Sequence, residues 1–153
     1  MRRRYFIALL VLGAEALSAG EPAFTTRVSL DSPVTVSSFT ESKVYGFESV
    51  LIENEGQDAV SAVQLVVTFR TASGDQVADE RRFAVEIAPR TSKRIIVDLG
   101  HKEGLRQKMK PGPESQALAI LTVKAAEFAG GRLWKADAPL TLDPLIPPRI
   151  EKK

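Results

Sequence analysis

The chain has no cysteine, a single histidine, a single tryptophan and an aromatic content of only 7%. Without thiols there can be no disulfide framework, thiolate metal site, redox pair or lipidated cysteine at an export signal. Stability must come from packing and backbone hydrogen bonds. Charge of one sign is also scarce. The formal net charge is +2, and Arg2, Arg3, Arg4 and Glu15 all lie within residues 1–20. If that segment is removed, three positive charges and one negative charge leave with it, which brings +2 to zero. A neutral mature chain lacks the surplus of Lys and Arg that nucleic-acid binding requires, so no nucleic-acid partner is expected. What is present is a globular composition, 153 residues with 44% apolar content, enough for one domain with one core.

The N-terminal "MRRRYFIALLVLGAEALSAGEP" has the order of a secretory signal peptide: a cationic start, an apolar run from Tyr5 to Ala14, and small Ser18, Ala19 and Gly20 before Glu21 and Pro22. Read instead as an uncleaved anchor, the run falls short of the roughly 20 apolar residues a span needs, and Glu15 would be costly there. Arg3 and Arg4 before Tyr5, Phe6 and Ile7 also fit a twin-arginine motif, although an arginine-rich start serves the general export route equally well. We expect a signal-peptide helix over 1–20, cleavage, a periplasmic or secreted product, and no stable membrane span after cleavage.

Past the leader the apolar period is two. In "AVQLVVTFRT", Val63, Leu65, Val67 and Phe69 fall on one face and Gln64, Thr68 and Arg70 on the other, with Val66 the exception. "RRFAVEIAP" alternates Phe83, Val85 and Ile87 with Arg82, Ala84 and Glu86. Less regular runs at 26–30, 34–39, 47–54, 93–99 and 118–127 are rich in Val, Ile, Thr and Phe. Between the runs stand "ENEGQD", "ASGDQ", "APRTS", "LGHKEG", "KPGPES" and "AGG". With no helical stripe after residue 20, the pattern predicts an all-β fold: a single antiparallel β-sandwich of about seven to eight strands over 21–139. The tail "DAPLTLDPLIPPRIEKK" carries four prolines, which forbid a helix. Residues 140–153 should be extended, with Leu140 and Leu142 docked on one face of the sandwich and the charged end loose.

The order "SVLIENEGQDAVSAVQLVVTFRTASGDQV", then "F-x-V-x-I-x-P" and "KRIIVDL", resembles the immunoglobulin-like and fibronectin-type sandwiches of small exported bacterial proteins. In those a strand ending in Asn meets a polar turn and then a "V-x-L-x-V-x-F" strand. The resemblance spans roughly residues 44–135, an ordinary single-domain length. The closing Val123, Phe128, Gly131 and Trp134 are similar to a hairpin of uncharacterised exported proteins of this kind. The cysteine pair of antibody domains is missing, and a fold of this type implies no activity by itself.

Sites for chemistry are few. His101 stands in the charged "LGHKEGLRQKMKPGPE" without a "G-x-S-x-G" elbow and reads as a solvated loop residue. The surrounding His101–Glu114 segment sets Lys102, Arg106, Lys108 and Lys110 against Glu103 and Glu114, and reads as a solvated crossover between strands. Glu48, Glu53, Glu55 and Asp58 cluster near one turn, but their spacing fits neither a calcium loop nor a defined catalytic pair. No catalysis, cofactor or metal is expected. Trp134 and Phe128 are the candidate interaction residues. A two-residue turn at Gly130 and Gly131 would set Trp134 opposite Glu127 and facing away from Phe128; a three-residue loop sets it opposite Ala126, on the Phe128 face. We favour the second, with Trp134 substantially buried.

Three functional classes follow in order. The first is an exported envelope module that binds another protein, of the envelope itself, through a sheet face or edge. The second is a carbohydrate-binding module, for which few rings are spare: Tyr5, Phe6 and Phe24 lie in or beside the leader and Phe69 and Phe83 on expected core faces. A small hydrolase is a distant third. The export reading predicts that intact mass of the protein from the cell envelope starts near Glu21; a cytoplasmic species retaining Arg2 would overturn it.

Overall fold

A computed structural model describes residues 22–71, 74–109 and 117–136. The expected leader helix and the whole C-terminal tail, with the docking expected of Leu140 and Leu142, lie outside them. Eight strands and one helix follow in order: β1 Ala23–Arg27, β2 Val34–Thr40, β3 Tyr45–Asn54, β4 Val60–Thr71, β5 Gly74–Ile87, β6 Ser92–His101, α1 Lys102–Met109, β7 Leu118–Phe128 and β8 Leu133–Lys135. They form two sheets. One holds five strands in the order β1-β7-β4-β5 with β8 also on β7, and the other is β2-β3-β6. The inner faces enclose one core containing Val34, Phe47, Ile52, Leu65, Phe69, Leu99, Leu121 and Phe128. The all-β sandwich expected from the alternation is therefore the architecture.

The irregular runs have a common cause. Inward residues step by three, from Val36 to Phe39, Phe47 to Val50, Val60 to Val63 and Val123 to Ala126. A pure strand would turn the second residue of each pair outward. At each step the register shifts, at Val36/Ser38, Phe47/Ser49, Val60/Ala62 and Gln64/Leu65, with the extra residue on β2, on β6 opposite β3, on β4 opposite β7, and on β7 respectively.

Four expectations need correction. The crossover expected to be a loop contains α1, because Leu105 and Met109, one turn apart, both bury against the sandwich end. The Gly104 N–H donates to His101 Nδ1 at 3.3 Å, so His101 caps this helix while staying exposed. The first strand is Ala23–Arg27 and not 26–30, and Leu30 is fully exposed. Its pairing with β7 is parallel, from Ala23↔Leu118 to Arg27↔Thr122, so the sandwich is not wholly antiparallel. The "ASGDQ" turn is shorter than expected, since β5 already begins at Gly74. Phe24, placed beside the leader by sequence, packs edge-on against Phe47 at 5.5 Å. A methyl at Gly46 would lie 2.1 Å from the Phe24 ring, so glycine is what lets that ring in.

Asn54 fastens the two sheets. It is buried at the end of β3, and its Nδ2 donates to the carbonyls of Asp58 at 2.8 Å, Ile87 at 3.1 Å and Ala88 at 3.3 Å. Its Oδ1 accepts the Gly56 N–H at 3.0 Å, closing the turn into β4. Asn54→Ala should destabilise the domain by about 2–4 kcal/mol, because buried carbonyls lose their donor. Asn54→Asp should cost at least as much at neutral pH, since it puts a carboxylate oxygen against those carbonyls. Chemical denaturation checks both.

Candidate functional site

The hairpin holding the candidate residues adopts the three-residue loop. Phe128 N donates to Arg132 O at 2.9 Å, and Gly131 N to Phe128 O at 3.0 Å. Gly130 and Gly131 sit at φ 94° and 88°, a region that only glycine enters freely. The pairs are then Glu127↔Leu133 and Ala126↔Trp134. Phe128 is fully in the core, with the Arg132 guanidinium 4.2 Å above its ring. Arg132 in turn pairs with Asp58 at 2.9 Å. Trp134 packs against the core and is partly buried, on the three-residue β8 at the edge of the sheet. The hairpin therefore brings Trp134 to the core edge and leaves Phe128 unavailable to a ligand.

The other sequence candidates do not converge. Asp58 is held by Arg132, and Glu55 accepts from Thr35 Oγ1 at 3.3 Å. Among the described residues no three acidic or histidine side chains are grouped as metal ligands. The His101 ring meets Tyr45 edge-on at 5.8 Å beside a recess lined by Pro22, Phe24, Glu41, Lys43 and Lys102. There Lys102 pairs with Glu41 at 3.1 Å and lies over the Phe24 ring, so its charge is met within the chain.

The two outward sheet faces differ in kind. On the five-stranded sheet, Arg82 of β5 makes a two-pronged bond to Glu127 of β7, 2.7 Å on each arm, across β4. Hydrogen bonding from Arg82 holds the Glu127 carboxyl below its ordinary range, and the same bond raises the guanidinium above its own. Lys124 reaches across β4 to Glu80 at 2.7 Å, and Gln64 also donates to Glu80. Beneath and beside these straps Val66 and Ile120 have no exposed surface.

On the three-stranded sheet the outward groups are mostly hydroxyls. Arg94 of β6 spans β3 to bond Ser49 at 3.1 Å and Ser38 of β2 at 3.2 Å, and Thr40 and Ser49 share a bond of 2.7 Å. Next to this polar net Ile96 is 73% exposed. The seam between β5 and β6 is closed by side chains: Asp79 accepts from Gly100 N, Arg81 donates to Val97 O and Lys93 to Glu86 O. Inward-turned charges of this kind discourage strand addition at that edge.

Sequence reasoning missed the three-stranded face. Its one legible sign was Ile96, the outward residue of "KRIIVDL", which alternation marks as apolar where solvent is expected. No family model, no curated protein and no solved structure matches this chain.

Trp134→Ala should lower stability by about 2 kcal/mol, below the roughly 3–5 kcal/mol of a fully buried aromatic. Denaturant melts check the size of the loss, and an unchanged midpoint would place the indole outside the core.

Proposed function

We propose that this protein is an exported, non-catalytic module with an immunoglobulin-like arrangement, which binds another protein of the cell envelope through the outward face of its three-stranded sheet. The leader sequence supports export. The pairings β3–β6 in one sheet and β4–β7–β8 in the other support the immunoglobulin-like reading, with β1 on β7 as an addition of this chain.

The observation that carries the binding reading is the contrast between the two faces. The five-stranded face is strapped by ion pairs and its central Val66 and Ile120 are sealed, with Val77 and Leu133 exposed only on its edge strands. The other face offers Ile96, 73% exposed on the edge strand β6, beside a net of hydroxyls and one positioned guanidinium. Apolar surface next to satisfied polar groups is the mix that protein-binding patches use. Single exposed apolar residues elsewhere, such as Val77 and Leu133, lack that setting. A sugar-stacking role has less support, since Phe24, Phe39 and Phe47 are engaged with one another and Phe69 and Phe128 are buried.

A photo-reactive phenylalanine analogue replacing Ile96 should give a discrete protein adduct in cells, and the same analogue replacing Val77 should not. Adducts at neither position, or equally at both, would overturn the assignment. Retention on envelope polysaccharide that survives Ile96→Asp but is lost in Trp134→Ala would favour the carbohydrate reading instead.

A further inference from the structure

The arginines of the described residues divide by what holds them. Arg70, Arg81, Arg82, Arg106 and Arg132 each meet a carboxylate of the chain, so their charge is neutralised locally. Arg94 is held differently. Its terminal nitrogens donate to Ser49 Oγ at 3.1 Å and to Ser38 Oγ at 3.2 Å, both neutral acceptors, and no carboxylate among the described residues pairs with it. Arg90, in the turn before β6, also lacks a carboxylate, but no side-chain bond aims it.

The register shows where the Arg94 charge is delivered. Ser38, Leu51 and Arg94 form one row across the three-stranded sheet, and Thr40, Ser49 and Ile96 form the next. Arg94 therefore lays its stem along the first row, over half-buried Leu51, and brings its guanidinium to the hydroxyl at the centre of the second. Ile96 is the cross-strand partner of that same Ser49, about 5 Å away in such a pair. A fixed cation and an apolar side chain 73% exposed thus stand side by side. The two hydroxyls take two donors of the fork, and its other N–H groups have no acceptor among the described residues. Pinned from two strands, the fork is oriented before anything binds, which lowers the ordering cost of a contact. Glu53, in the row of Thr35 and Ser92 on the far side of Leu51, makes no pair with Arg94. Its charge opposes an acid on that side and leaves the Ile96 side open to one.

We propose that the partner surface received by this sheet carries an Asp or Glu carboxylate that takes the remaining N–H donors of Arg94, beside an apolar side chain that covers Ile96. The inference rests on the partner face proposed above and adds the chemistry of what that face receives. Charge complementarity carries it. A guanidinium answered only by hydroxyls keeps its full charge, and a carboxylate bonds such a fork through parallel N–H groups, about twice as strongly as a neutral acceptor does. One cation is too few for a phosphate chain. With residues 1–20 removed the formal charge of the chain is zero, so Arg94 sets the register of the partner more than it steers it from a distance.

The test uses the full chain in cells, with the photo-reactive phenylalanine analogue at position 96. Adding Arg94→Gln or Arg94→Glu should cut the yield of the protein adduct at least about tenfold, the size of one charge-assisted bond, while Lys93→Gln, turned instead to the Glu86 carbonyl, should change it less than about twofold. Arg94→Lys keeps the charge without the fork. In that variant a carbodiimide should join the introduced amine to a partner Asp or Glu with loss of one water, and peptide mapping should place the new amide at position 94. An adduct that Arg94→Gln and Arg94→Glu leave unchanged, or the lack of any amide at position 94 while the adduct persists, would sink the carboxylate and leave the partner face standing. No adduct in the parent removes the face and this pairing together. Retention on polygalacturonate beads that Arg94→Gln abolishes, with no protein adduct, would assign the carboxylate to a sugar chain and overturn a protein partner. A melting transition of purified Arg94→Gln as sharp as the parent's separates loss of contact from loss of fold.

Discussion

The sandwich depends on one buried amide. Two sheets packed only through apolar side chains can slide, because hydrophobic burial is non-directional. Asn54 removes that freedom. It ends β3 in one sheet, binds the carbonyls where β5 ends in the other, and shapes the turn that carries the chain from the first sheet to the second. All the buried side-chain polar atoms of the described residues have partners, so no orphan group offsets that fastening. In a chain without disulfides, this side-chain-to-backbone knot supplies the directional constraint that a cysteine bridge supplies elsewhere.

How much was legible in the sequence follows from where the period holds. β4 and the second half of β5 alternate cleanly over Val63–Phe69 and Phe83–Ile87, and they read correctly as strands facing one core. β2, β3 and β7 read only as apolar runs, because the inward set of each is displaced by one position at a register shift, the extra residue lying on β2, on β6 opposite β3, and on β7. Bulges are set by pairing between strands, and pairing is not written in any one of them. α1 was missed for a related reason: its apolar stripe is just Leu105 and Met109, too short for a helical period to stand out amid charged residues. β1 was misplaced because its anchor, Phe24, is fixed by a distant glycine, Gly46, and not by its own neighbours.

The candidate site was less legible than the fold. Trp134 drew attention through rarity, and the structure gives it a packing position at the end of a short strand. The faces that distinguish the two sheets depend on side chains contributed by three strands at once, such as Arg94 reaching across β3 to Ser38. No single stretch of sequence shows that row. Val66, the one break in the β4 alternation, was the trace of the opposite sheet's outward face, an apolar residue turned outward yet fully buried.

β7 is where these constraints meet. One of its edges is filled by β4, and the other is shared end to end by β1 and β8, with Lys124 at the junction. Lys124 also occupies the bulge that switches the inward set from Val123 to Ala126, so its side chain is freed to cross β4 and pair with Glu80. A residue that corrects the phase of the core thereby fastens the outer surface. Because β1 and β8 compete for a single edge, neither can lengthen without displacing the other. That limit keeps β8 short and leaves Trp134 only partly covered.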